Sequence, residues 1–117
     1  MLELLRNKRT GETVAAEVMP AESAWARTRG LMLRRSLGAG EGLRIEPCGS
    51  IHMMFMRFAI DAVFYDREGR VTKVAHGVRP WIGLAFGGRG ARGVVELAQG
   101  AAAAVQPGDF LDFEAAA

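Results

Sequence analysis

The sequence predicts a mainly-β single domain, α+β at the margin. The architecture expected is a curled antiparallel sheet or partly open barrel of short strands, with one short helix near residues 21–32. Three observations predict it. Short runs rich in β-branched and aromatic residues recur along the chain, bounded by glycine or proline. "DAVFYD", "REGR" and "VTKVAHGV" read as a hairpin around a charged turn containing Gly69. Helical spacing is visible in one stretch, beginning at Ala21. The 117 residues, 50% hydrophobic and 24% charged, suffice for one core. With no repeat or Pro/Ser-rich linker to divide them, residues 1–117 form one domain.

In order, "LELL" and "ETVAAEVM" flank the polar connection "RNKRTGE" and read as two strands joined by a turn. In the second, alternation puts Val14, Ala16 and Val18 on one face. Ala21, Ala24, Trp25, Thr28, Leu31 and Met32 then follow helical spacing, for about three turns. Pro20 suits a helix start, where its missing N–H costs nothing, and Glu22 and Arg29 complement the helix dipole. "RRSLGAGEG" is a loop and "LRIEP" a short strand. Residues 77–93, with six glycines, form a long loop of the kind that often carries function. "VVELA" is a strand, and Pro107–Gly108 makes a type II turn before a last strand.

Lys and Arg number 15 against 13 Asp and Glu, and a net charge of +2 makes neither nucleic acid nor membrane the expected partner. One cysteine excludes an internal disulfide and a Cys-only zinc site. Glu3 and Arg6 interrupt the stretch that an export signal would keep apolar. No run approaches the roughly 18 apolar residues of a membrane span. The expected compartment is the cytoplasm, with Cys48 reduced.

The chemistry concentrates in "CGSIHMMFMRF", residues 48–58, and in Asp61 just beyond. If that run is extended, His52, Met54, Met56 and Phe58 share one face, and Ile51, Met53, Phe55 and Arg57 the other. Both faces are mostly apolar, so their polar groups need partners; an unpaired one costs about 1–3 kcal/mol. Two readings follow. Arg57 and Asp61 form a buried pair beside a hydrogen-bonded histidine, or His52, Arg57 and Asp61 converge on a pocket wall. Cys48 and His52, oriented by Asp61 or Glu96, would also suit a thiolate–imidazolium hydrolase, although "CGSIH" carries no protease signature.

His52 and His76 are far apart with no H-x-x-x-H pair, so neither a metal nor a cofactor is expected. "GRGARG" matches G-x-G-x-x-G formally, but a β-type run follows it where a dinucleotide site needs a helix. Arg89 and Arg92 then read as solvated charges. Arg27, Arg29, Arg34 and Arg35 make either a solvated basic face or a site for a small anion. Trp81, after Pro80, serves as a stacking platform or as a lid over the core.

Taken together, "RTRGLMLRRSL", "GLRI", "CGSIHMMFMRFAIDAVFYDREGRV", "VRPW", "VVELAQG" and "PGDFL" resemble the domain-of-unknown-function family 192, from about Glu17 to Phe113. The resemblance implies a compact, mostly-β fold and no established reaction. It marks Arg29, Gly30, Leu31, Met32 and Arg34, then His52, Met56, Ile60, Asp61, Phe64, Asp66 and Gly69, then Glu96, Gly100, Gly108 and Asp109. Ala59 stands where similar proteins usually have proline.

The function expected is a small binding domain for a small, at least partly anionic ligand, with Arg34, His52, Arg57, Asp61, Trp81 and Glu96 at its site. The alternatives are a Cys48–His52 hydrolase and an interaction module that uses the glycine-rich loop. Oligomeric state is left open.

Overall fold

The computed structural model describes residues 2–23, 26, 30–32 and 34–115. Nine strands follow one another: β1 (Glu3–Asn7), β2 (Thr13–Pro20), β3 (Glu41–Ile45), β4 (Ser50–His52), β5 (Ile60–Tyr65), β6 (Val71–Val78), β7 (Leu84–Phe86), β8 (Gly93–Ala98) and β9 (Leu111–Ala115). Seven build one sheet in the order β6-β5-β8-β3-β2-β1-β9, while β4 and β7 pair as a separate ribbon. Every pairing is antiparallel except that of β2 with β3.

The large sheet curls until its two edges meet. Arg70 bridges Phe110, the Val71 N–H donates to the Asp109 carbonyl, and the Leu111 N–H donates to that of Gly69. The result is the expected partly open barrel, mainly β in a single compact unit. The β5–β6 hairpin forms around Asp66, whose side chain accepts the N–H groups of Glu68 and Arg70, with Gly69 at positive φ. The turn before β9 closes by a bond from the Asp109 N–H to the Gln106 carbonyl, with Gly108 at φ 93°.

Among the described residues every named element is a strand. The apolar stripe of the expected helix falls partly on Ala24, Trp25 and Thr28, which with Arg27 and Arg29 lie outside the described residues. At its described flanks, Ser23 Oγ accepts the Ala26 N–H at 3.0 Å, a capping contact. The Gly30 N–H donates to the Ala26 carbonyl at 2.9 Å, with Gly30 at positive φ.

Three strand expectations change. In β2 it is Ala15 and Val18 that are buried, with Ala16 exposed, because the β1–β2 register shifts on both sides of the Leu5–Ala15 pair. Residues 48–58 are not one extended run. After β4 a turn at Met53–Met56, closed by the Met56 N–H on the Met53 carbonyl, resets the periodicity. Met53 and Met56 therefore both point inward, and Met54 and Phe55 outward. The glycine-rich stretch 77–93 is not all loop either: β7 forms within it and pairs with β4.

Both faces of the central strands are covered, which is why all six residues of β5 are buried. Ile60, Ala62, Phe64 and Val94 pack on one side with Ile45, Ile51, Met53 and Met56. Val63, Tyr65, Val95 and Leu97 pack on the other with Leu5, Val18 and Leu111. Strand alternation then sends Glu96 to the first face and Asp61 to the second.

Candidate functional site

Glu96 sits in the middle of β8, opposite Leu43 on β3 and Ala62 on β5. Both neighbours are buried and apolar, so they offer its carboxylate no charge and no hydrogen bond. Burial pushes the Glu96 carboxyl up to about 7. Its Oε1 is shielded from solvent and has no hydrogen-bond partner among the described residues.

The acid opens onto a cavity of about 90 Å³. Met32, Met56 and Ile51 supply apolar wall, and Cys48, Ser50 and His52 supply the polar groups. Gly30 forms part of the same wall: a Cβ there would stand 3.6 Å from Glu96 Oε1. The short strand β4 gives three successive residues to this wall, Ser50 and His52 exposed and Ile51 buried against the core.

Cys48 is half-buried, and its thiol donates to the Ser50 carbonyl at 3.1 Å. Burial raises its pKa, the Ser50 backbone beside the sulfur lowers it in part, and the negative field of Glu96 raises it further. A thiolate is therefore disfavoured here. Cys48 and His52 border one cavity, yet the thiol's bond runs to a backbone carbonyl.

Of the six residues expected at one site, His52 and Glu96 line this cavity together. Arg34 lines an adjoining cavity of about 400 Å³, which shares Gly30 and Leu31 with the first, and there it faces Glu41 at 3.7 Å. Arg57 is exposed and makes no pair with Asp61 among the described contacts. Asp61 is instead held by backbone. Its Oδ1 accepts the Gly77 N–H at 2.9 Å, and its Oδ2 accepts those of Gly100 and Ala102, both at 3.0 Å. His76 Nδ1 stands 3.8 Å from the same oxygen, beyond hydrogen-bond reach. Trp81 neither lids the core nor borders the described cavities. It is 54% exposed and meets Phe55 edge-on, ring centroids 5.6 Å apart.

In a further cavity, of about 510 Å³, the lining charges neutralise one another. Arg44 pairs with Glu3 and Arg92 with Glu46, each at 3.2 Å, and the Tyr65 hydroxyl donates to Glu46 at 2.7 Å. Arg92 is thus an exposed charge that also pairs with Glu46. Among the described residues no three His, Cys, Asp or Glu side chains come together as a metal site would need. No described helix is long and apolar enough to cross a membrane.

Sequence reasoning missed two features. Asn7 and Arg9 both bond to Asp109, about a hundred positions away, and nothing local announces that contact. The run "WIGLAF" inside the glycine-rich stretch was a legible sign that apolar side chains are displayed there.

The profile of family DUF192, described as uncharacterized ACR, matches residues 5–113. Two solved structures share the fold. One, a protein of unknown function from Novosphingobium aromaticivorans DSM 12444, has TM-score 0.81 and 22% identity, over 96% of this chain and 84% of that one. The other, from Sinorhizobium meliloti 1021 and provisionally described as a transcription regulator, has TM-score 0.83 and 23% identity, over 97% and 94%. No curated protein matches the sequence.

Proposed function

We propose that this chain, which belongs to the DUF192 family, is a small binding domain whose ligand places a hydrogen-bond donor against Glu96. One observation carries the reading: a buried carboxyl oxygen without a partner among the described residues, aimed into a cavity with apolar walls. Leaving such a group unsatisfied costs about 1–3 kcal/mol, and a bound donor recovers that cost. With a pKa near 7, Glu96 meets a neutral hydroxyl or amide when protonated and an ammonium when ionised.

A cavity of about 90 Å³ holds only a few heavy atoms, so it takes a head group, with the rest of the ligand outside. The anionic part of the expected ligand belongs at the rim, against His52, or in the adjoining cavity against Arg34. Arg57, Asp61 and Trp81 do not enter this reading.

The test is ligand-observed NMR against a library of small amines, amides, hydroxy compounds and carboxylates, on the wild type and on Glu96→Leu. Saturable binders that disappear in the variant support the reading. A library without a saturable binder, or binders indifferent to Glu96→Leu, sinks it.

A further inference from the structure

The net charge of +2 averages a segregated distribution. Between Glu46 and Asp61 the sequence has no acid, and between Glu68 and Glu96 it has none either. These two segments pair through β4 and β7 and through the bonds of the Met53 N–H to Gly83 and the Trp81 N–H to Met53. They thus build one end of the molecule. The six Lys and Arg cations of these segments are all exposed. Arg92 pairs with Glu46 and Arg70 bridges Phe110 at the barrel seam, which leaves Arg57, Lys73, Arg79 and Arg89 without an ion pair among the described residues. Asp61, by contrast, is buried and bonded to backbone.

The same end carries large apolar side chains in solvent. Phe55 is 47% exposed, Trp81 54%, Ile82 76%, Leu84 65% and Phe86 63%. Leu84 and Phe86 stand on one side of β7, opposite His52 and Ser50. Phe55 and Trp81 touch, and both hold positive φ, 66° and 68°. Bulky residues adopt that conformation rarely and at a cost of about 1–3 kcal/mol each. Two neighbouring aromatics are thus presented outward against local preference. A displayed apolar patch of this kind marks an interaction surface.

We infer that this end is a docking surface for an anionic lipid membrane, with Trp81, Ile82 and Leu84 entering the headgroup layer and the arginines and Lys73 meeting lipid phosphates. Charge complementarity and the aliphatic side chains carry the choice. Nucleic acid would want stacking rings without Ile82 and Leu84, and an acidic protein surface does not solvate an isolated isoleucine tip as acyl chains do. The surface adjoins the Glu96 cavity, because Leu84 and Phe86 pair with His52 and Ser50 of its wall, but it shares no residue with that wall and the inference stands without that cavity's ligand.

The experiment is co-sedimentation of the full chain with extruded phosphatidylcholine vesicles, with and without an equal share of phosphatidylglycerol. Binding is expected to the anionic vesicles and to weaken steeply with added salt. Ile82→Asp and Leu84→Asp should each lower partitioning at least about tenfold, and Arg57→Gln or Arg79→Gln about fivefold. All four side chains are exposed, so circular dichroism should show a native fold. Fluorescence quenching by brominated lipid, lost in Trp81→Phe, should place that ring in the bilayer. Absence of binding to anionic vesicles overturns the inference, as does binding indifferent to the Asp variants. So does a concentration-dependent dimer in sedimentation velocity that Ile82→Asp dissolves, which would assign the patch to a second copy.

Discussion

Asp61 and Glu96 lie on adjacent strands, one register step apart, and their side chains leave opposite faces of the sheet. Asp61 is paired with Leu97, and Glu96 with Ala62. The two acids are thus close along the backbone and separated by the sheet itself. Their fates differ accordingly. Asp61 collects three backbone N–H groups, and Glu96 has none among the described residues. One acid ties loops together, and the other keeps a buried oxygen without a partner among the described residues.

Asp61 is therefore predicted to matter for folding rather than for binding. It fastens Gly77 of β6 to the turn at Gly100–Ala102. Asp61→Ala leaves those donors without their acceptor and should cost at least about 3 kcal/mol. Asp61→Asn, which keeps one carbonyl oxygen, should cost less. Urea unfolding measures both; equal midpoints for the wild type and Asp61→Ala would remove the bracket role.

Glu96 predicts a stability that falls as pH rises. Its carboxyl sits at about 7 in the folded chain against 4.5 when unfolded, so the folded state holds the proton more tightly. The associated stability is fully present below 4.5, declines between 4.5 and about 7, and levels off above that. The drop approaches about 3 kcal/mol. Glu96→Gln should flatten this part of the profile, and at pH 8 it should be at least as stable as the wild type. Denaturation midpoints between pH 5 and pH 8 decide it: parallel profiles for the two proteins would rule the assignment out.

The β5–β6 hairpin was legible in the sequence because its turn chemistry and its β-branched runs act locally, and the same holds for Pro107–Gly108. Burial of residues 48–58 was legible in part. The apolar density was right, but the turn at Met53–Met56 breaks the alternation that placed His52 beside Met54 and Met56. Among the residues proposed for a site, Glu96 and His52 line one cavity, while Arg57 and Asp61 do not pair. The reason is register. Adjacent positions on β5 and β8 diverge by a whole sheet thickness, and only the pairing, invisible in one sequence, decides which face each acid takes.

Cys48 should behave as a slow thiol. Burial and the nearby Glu96 carboxylate both oppose its ionisation, and its S–H is engaged by the Ser50 carbonyl. Iodoacetamide at neutral pH is therefore expected to label it more slowly than free cysteine, and Glu96→Gln should modestly speed the reaction. Labelling faster than free cysteine would revive the hydrolase reading and contradict this geometry.

The acid limb of stability belongs to Asp109. This buried carboxylate accepts Arg9 Nε at 2.6 Å, the Asn7 side-chain amide at 2.8 Å and the Gln106 N–H at 2.8 Å, which ties the β1–β2 turn to the turn before β9. The Arg9 contact above all, then the Gln106 and Asn7 bonds, outweigh the opposing effect of burial and hold its pKa at about 2 against 3.8 unfolded. A depressed carboxylate contributes stability that is complete above 3.8 and is lost as pH falls through about 2. Asp109→Asn should lower stability by about 2 kcal/mol at neutral pH. It should also remove the part of the acid transition that lies between pH 4 and pH 2. Because Asp109 does not line the Glu96 cavity, ligand-observed NMR at neutral pH should find the same binders in the folded variant. Circular dichroism during acid titration reads the first effect: a wild type and an Asp109→Asn variant that unfold along the same curve would show that this clamp does not hold the barrel edge.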